Sequence, residues 1–327
     1  SKVVLICQVF HPDTTSTSQL FQVLLRSLAR SGWEVHVLCG FPAERIEKID
    51  LRTEIWEGII IHRCGLPFPT KKNLVARSFA YLSFFFDTLF RLLFNYRTFI
   101  WLGVTNPPFN AHMIALASWI RQHDFFYFFL DLYPEGLLAL RKLSPRNPVV
   151  NIWLLLNRLA YRRAKNLFVL GRDMVPLLEN NYRLEPTRAV YIPHWSAVES
   201  MCPLLKEQSR FARQWEIEGK FIVQYSGNMG LWHDIDSLVN TAHSLQEDDD
   251  IRFVFIGDGI RKSAATKLAA NLGVTNIIWE NFLPLNQLQE SLAACDVSLI
   301  SLRSGLEGVA VPCKLYGILA SGRAVIA

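Results

Sequence analysis

Short apolar runs alternate with longer stretches of helical periodicity along nearly the whole chain, which is the pattern of repeated strand–helix units. The first unit reads as a strand over residues 3–9, a polar loop over 11–18 and a helix ending at Arg30. Further strands are expected at 34–39, 59–63, 99–104, 125–130, 167–170 and 189–192. These runs are apolar almost throughout instead of alternating, so they fit a parallel sheet covered on both faces. After a polar segment at 193–202 and a helical stretch to Trp215 the alternation restarts, with strands expected at 221–225, 252–256, 276–279, 297–301 and 324–326. The expected fold class is α/β: two Rossmann-like domains, 1–200 and 201–327, with parallel sheets facing an interdomain cleft and ligands at the carboxyl ends of the strands. No repeated period accompanies the restart, which excludes a solenoid.

A length of 327 residues exceeds what one core usually organises and supports two domains. Half the residues are hydrophobic and 12% aromatic, yet the uninterrupted runs of a multi-span membrane protein are missing. The net charge of +5 is uneven: residues 1–200 carry 23 Lys+Arg against 15 Asp+Glu, whereas the remainder carries 11 against 14. No nucleic-acid signature accompanies the basic half, so an anionic lipid or a phosphorylated acceptor fits better. The six cysteines form no CxxC or Cys/His cluster, which points to a reduced, cytoplasmic chain. No signal peptide is visible at the start. The chain begins without Met and stops inside a strand, so a C-terminally truncated fragment is expected.

Candidate chemistry concentrates in residues 311–327. Pro312-Cys313-Lys314 opens a short helix, and a helix start gathers unpaired N–H groups and the positive end of the macrodipole, so an anion such as phosphate is the expected ligand. A dinucleotide fingerprint is absent, because the loop after the first strand, Phe10-His-Pro-Asp-Thr-Thr-Ser-Thr-Ser18, holds no glycine. Gly257-Asp258-Gly259 gives a bare GxG, for which a tight turn and a ligand role both stay open.

Taken together, Tyr225-Ser-Gly-Asn-Met-Gly230, Phe255-Ile-Gly-Asp-Gly259, Leu292-Ala-Ala-Cys-Asp-Val297, Val311-Pro-Cys-Lys-Leu-Tyr316 and Ala320-Ser-Gly-Arg-Ala-Val325 resemble the family 4 retaining glycosyltransferases of GT-B fold. Gln8-Val-Phe-His-Pro-Asp13, Cys39-Gly-Phe-Pro42, Thr105-Asn-Pro-Pro-Phe109, Asp131-Leu-Tyr-Pro-Glu135 and Tyr191-Ile-Pro-His-Trp195 resemble its O-antigen and exopolysaccharide subgroup. The resemblance implies a nucleotide-sugar donor, with UDP favoured, on the C-terminal domain, and a lipid-linked (polyprenyl) or glycan acceptor on the N-terminal domain. It further implies domain closure around the sugar, with no cofactor and no bound metal. The implied donor set is Gly227, Asn228, Asp258, Gly259, Leu283, Glu307, Gly308, Val309, Lys314 and Leu315, with His11, Thr15 and Ser16 on the acceptor side. Lys314 would stabilise the charge developing on the leaving diphosphate. Asp131, directly after a strand, would position acceptor or sugar, against a turn or capping role.

Departures from the family pattern accompany these matches. Two phosphate cations common in the family are replaced by Asn228 and His233, and its paired glutamates would fall at Val309 and Gly317. Glu307 is near enough to stand in for one carboxylate, though a solvated loop role is equally compatible. His233-Asp234 could be a catalytic pair, but Asp234 stands where a helix N-cap belongs. No carboxylate is obviously placed as nucleophile, which favours same-face departure and attack in a retaining transfer. Rivals are a nucleotide-sugar epimerase or hydrolase on the same fold and a non-catalytic nucleotide- or glycan-binding module.

Residues 77–95 form a helix rich in Phe, Leu and Tyr with one narrow polar stripe: Arg77, Ser83, Asp87, Thr88, Arg91 and Asn95. Asp87 and Arg91 are spaced to pair and argue against a membrane span. Lys71, Lys72, Arg77, Arg91 and Arg97 flank the apolar face, and Arg158, Arg162, Arg163 and Lys165 follow on a second helical stretch. Both a helix lying on an anionic membrane and a broad face packed on the sheet fit, and the basic N-terminal half favours peripheral attachment.

Overall fold

The computed structural model of the chain describes residues 1–13, 15–42, 52–67, 74–195 and 201–327, the side chains of 74–77 aside. It divides into two compact units, Ser1–Pro193 with Gly308–Val311, and His194–Glu307 with Pro312–Ala327.

The first unit is built on β1 (Lys2–Ile6), α1 (Ser16–Arg30), β2 (Glu34–Cys39), β3 (Thr53–Trp56), β4 (Ile59–Arg63), α2 (Leu74–Phe94), β5 (Ile100–Val104), α3 (Asn110–Arg121), β6 (Phe125–Phe129), α4 (Glu135–Ala139), α5 (Pro148–Arg163), β7 (Asn166–Val169), α6 (Met174–Tyr182) and β8 (Ala189–Tyr191). The sheet order is β3-β4-β2-β1-β5-β6-β7-β8, parallel except where β3 meets β4. Central strands read as continuous hydrophobic runs because both faces are covered: Val4, Leu5 and Ile6 have no exposed surface, nor do Phe125, Tyr127 and Phe129. The chain leaves β1 toward β2 and later returns to β5 on its other side, so the order reverses between β1 and β5. Connections running from β4 through β8 all move in one direction across the sheet, and right-handed crossovers then put α2, α3, α5 and α6 in a single layer. The packing of α2 on α3, α3 on α5 and α5 on α6 agrees.

The expected strands match closely, within two or three residues at their ends, and β3 is an addition. Its Glu57-Gly58 turn, with φ of 49° and 82°, joins it antiparallel to β4. Lys71 and Lys72 lie outside the described residues, as does half of the polar segment 193–202, residues 196–200.

The second unit holds α7 (Phe211–Gln214), β9 (Phe221–Ser226), α8 (Ile235–Ser244), β10 (Ile251–Ile256), α9 (Lys262–Leu272), β11 (Ile277–Glu280), α10 (Leu288–Ala294), β12 (Val297–Leu299), α11 (Lys314–Ala320) and β13 (Ala324–Ile326). Its five strands are all parallel in the order β11-β10-β9-β12-β13. One face is sealed by Val239, Ala242, Ala265 and Ala269 against Tyr225, Phe253 and Phe255, the other by Phe211, Trp215 and Ala294 against Ile222, Val254 and Ile256. No helix among the described residues is long and apolar enough to cross a membrane.

Candidate functional site

In the second unit the strand order reverses between β9 and β12, the place where an open α/β sheet leaves a crevice at its carboxyl edge. The loop after β9 supplies Gly227 and Asn228, and the loop after β10 supplies Gly257, Asp258 and Gly259. The two loops are knitted together through their backbones: Gly227 N donates to Ile256 O at 2.9 Å, and Met229 N donates to Asp258 O at 2.8 Å. Gly227 and Gly257 hold φ of 139° and 134°, and a Cβ on Gly257 would fall onto the Gly227 carbonyl oxygen. Both positions therefore need glycine, for backbone conformation and for close approach.

Lys314, the first residue of α11, sends its side chain into this glycine-lined place. Its Nζ lies 3.8 Å from the centroid of the Tyr225 ring, and a Cβ on Gly227 would be 3.0 Å from it. The ammonium is sealed from solvent and has no hydrogen-bond partner among the described residues. Burial pulls its pKa from 10.5 down to about 8, so at neutral pH it is charged, stripped of water and supported by one aromatic face. A buried cation in that state is a site that an anion would complete.

Burial, and then the nearby Lys314 charge, push His233 down from 6.5 to about 4. Its Nδ1 accepts from Gly230 N at 3.1 Å, which assigns the proton of the neutral ring to Nε2. Asp234 is the N-cap of α8: its carboxylate accepts from Ser237 N at 3.4 Å and from the Ser237 hydroxyl at 2.6 Å, while Ser301 Oγ brackets its backbone. The carboxylate is thus engaged in capping and not in orienting His233.

The remaining donor-side candidates fall in different settings. Asp258 is exposed and accepts from Gly259 N at 2.8 Å, while a Cβ on Gly259 would come within 2.7 Å of Asn228 Oδ1. Glu307 is exposed and accepts from Gly305 N at 2.8 Å, which stabilises its own turn. Leu283 packs beside the cluster of Phe211, Ile222 and Val254, and Leu315 beside Leu292, Ile300 and Ile318. Gly308 and Val309 belong to the first unit, where Val309 O accepts from Leu132 N at 2.9 Å and Ala310 forms an antiparallel bridge with Asp131. Gly317 faces open space.

In the first unit the order reverses between β1 and β5, and the loop after β1 carries His11, Thr15 and Ser16. The His11 ring stacks on Trp56 with centroids 4.4 Å apart, Thr15 caps α1 by accepting from Ser18 N at 3.3 Å, and Ser16 is exposed at the first turn. Asp131 follows β6, and burial raises its pKa from 3.8 to about 6. Among the described residues no group of three or more His, Cys, Asp or Glu is arranged to hold a metal ion.

Two side chains escaped the sequence reading. Tyr225 carries the cation contact, and its OH donates to Asn228 O at 2.8 Å. Lys262 donates to Gly257 O at 2.7 Å, to Glu280 O at 2.8 Å and to Asn281 Oδ1 at 3.1 Å, so it ties the glycine turn to the end of β11. A lysine opening α9, against the dipole preference, was the available signal for the second.

Residues 207–327 match the glycosyl transferases group 1 family. The probable glycosyltransferase WbjE of Pseudomonas aeruginosa is 28% identical over 226 residues, covering 69% of this chain, and the match spans just over half, 56%, of WbjE. The putative colanic acid biosynthesis glycosyl transferase WcaI of Escherichia coli (strain K12) is 23% identical over 97% of this chain and 81% of its own length. Among solved structures, sucrose-phosphate synthase from Thermosynechococcus elongatus superposes with a TM-score of 0.69 at 12% identity, over 100% of this chain and 80% of that one. Anabaena HepE, solved in complex with UDP-glucose, gives 0.67 at 13% identity, over 99% and 79%. The chain therefore has the GT-B fold, and its residues 207–327 are similar to the glycosyl transferases group 1 family.

Proposed function

We propose that this chain is a glycosyltransferase that moves a sugar from a nucleoside diphosphate sugar, with UDP the favoured nucleotide, to a lipid-linked or polysaccharide acceptor with retention of anomeric configuration. Residues 201–327 hold the donor and residues 1–200 the acceptor. The enzyme works in the cytoplasm, attached peripherally to the inner face of the membrane. The observation that carries the reading is the buried, unpartnered Lys314 ammonium at the β9/β12 reversal, beside the backbone of Gly227. A diphosphate there would supply the missing counter-charge. As the sugar–phosphate bond breaks, charge grows on the leaving oxygen, and a fixed cation in a dry site stabilises that charge most. Departure and attack on the same face let the leaving phosphate take the acceptor hydroxyl proton. Asp131 positions the acceptor or the sugar.

A second reading has its own support. The resemblance to family 4 glycosyltransferases implies paired glutamates at positions 309 and 317, and Val309 and Gly317 stand there instead, which favours a module that binds a nucleotide sugar without turning it over. Thermal stabilisation by a panel of nucleotide sugars, followed by assay of sugar release, separates the two. Stabilisation that Lys314→Ala abolishes, together with transfer to a lipid-linked acceptor, supports the enzyme. Stabilisation without release across acceptors supports the binding module, and stabilisation untouched by Lys314→Ala removes the basis of both.

A further inference from the structure

Helix α2 is turned the opposite way from an ordinary amphipathic helix. Its polar stripe faces the protein: Asp87 accepts from Gly65 N at 2.9 Å, Ser83 Oγ accepts from Leu66 N at 3.0 Å, Thr88 is fully buried, and Arg91 pairs with Asp87 at 2.8 Å. The outward stripe at i, i+4 spacing is Leu82, Phe86, Phe90 and Phe94, exposed to between 54% and 65%. A helix facing water alone would show the reverse arrangement.

The same holds for its neighbours in the layer. α3 exposes Leu116, Trp119 and Ile120, and α5 exposes Val149, Ile152, Leu155 and Leu159. Scattered exposed leucines are ordinary, but apolar stripes on three adjoining helices make a continuous surface that calls for an occupant.

Charge identifies that occupant. Residues 74–165 carry 11 Lys+Arg against 4 Asp+Glu. Of the four acids, Asp87 is paired with Arg91 and Asp124 with Lys165 at 3.2 Å. The C-terminal ends of α2, α3 and α5 converge on His123, which bonds the Arg97 carbonyl at 3.0 Å, while Arg163 donates to the carbonyls of Ser118 and His123. Arg97, Arg121, Arg162 and Lys165 thereby gather at one end of the apolar face. A second copy of the chain would bring the same positive charge against itself, whereas an anionic bilayer offers both a hydrocarbon boundary and complementary headgroups.

We propose that the outer surface of α2, α3 and α5 is a docking face for an anionic lipid bilayer, with the apolar stripes entering the headgroup–acyl boundary and the basic rim meeting the headgroups. The proposal deepens the peripheral attachment stated above and rests on that reading for its purpose, a lipid-linked acceptor.

The test is flotation of the full chain with phosphatidylglycerol-containing or pure phosphatidylcholine vesicles at low and high salt. Wild type is expected to float with the anionic vesicles and to be released by salt. The exposed double substitution Phe86→Ser/Phe90→Ser is expected to weaken partition about a hundredfold. Arg97→Gln/Arg121→Gln is expected to weaken it about thirtyfold. Sedimentation without lipid and the melting temperature should be unchanged in both variants. No flotation, equal flotation with both lipids, or a lipid-free dimer that Phe86→Ser/Phe90→Ser dissociates would each overturn the proposal. Nucleotide-induced stabilisation in lipid-free buffer reports on Lys314 alone, so failure of the docking face and failure of the glycosyltransferase reading are told apart.

Discussion

Replacing Lys314 by methionine should move stability and binding in opposite directions. Methionine keeps most of the stem and removes the ammonium from its place over Tyr225. With its pKa held at about 8 against an ordinary 10.5, the charged form costs the unliganded fold roughly 3 kcal/mol at neutral pH. Lys314→Met should therefore stabilise the empty protein by roughly 2–3 kcal/mol, a rise of about 5–10 °C in melting temperature. The pH dependence follows from the direction of the displacement. As pH rises from about 8 toward 10.5 the folded protein releases this proton before the unfolded chain does, so wild type gains stability across that window and its deficit against the variant closes. The nucleotide response should be reversed, with UDP raising the melting temperature of wild type and leaving Lys314→Met nearly unmoved. Differential scanning fluorimetry from about pH 7 to about pH 10, with and without UDP, reads both effects. A variant less stable than wild type at neutral pH, or one that keeps the full UDP shift, would refute the reasoning.

Three further outcomes follow from the same geometry. His233 should stay neutral down to about pH 4, and Lys314→Met should raise its pKa by removing the neighbouring charge, as histidine ring NMR would report; because its folded pKa lies below 6.5, the stability it contributes is lost as pH falls from 6.5 through about 4. Gly227→Ala should destabilise the second unit by roughly 1–3 kcal/mol and displace Lys314, since it combines a φ of 139° with a Cβ 3.0 Å from Nζ; denaturant unfolding measures the first effect and loss of UDP binding the second. Asp131→Asn should leave UDP-induced stabilisation intact while lowering transfer, and it should remove from the pH–rate profile an ionisation near the Asp131 pKa of about 6.

Much of the fold was legible because parallel strands buried on both faces leave unbroken apolar runs, as β1, β6 and β9 do. β3 was missed for the converse reason: on a sheet edge, Thr53-Glu54-Ile55-Trp56 alternates and leaves Ile55 76% exposed, so it lacks that signature. Pro312 and Lys314 announced the start of α11, but the ammonium's resting place depends on how α11 meets the end of β9, and spacing does not encode that. For α2 the periodicity located the polar stripe without saying which way it points. When both faces of a helix are apolar, hydrogen bonds from Gly65 and Leu66 decide the orientation, and those lie 22 and 17 residues from their partners in sequence. Asp234 was readable as a cap because N-capping is local, and Ser301, 67 residues distant, was not.

Direct observation of the Lys314 ammonium by 15N NMR, titrated with pH in the absence and presence of a nucleoside diphosphate, tests the central claim most closely. The account predicts a midpoint near 8 in the free protein, and a bound state in which the counter-charge returns it to 10.5 or above. An unchanged Lys314 midpoint under saturating nucleotide would contradict it.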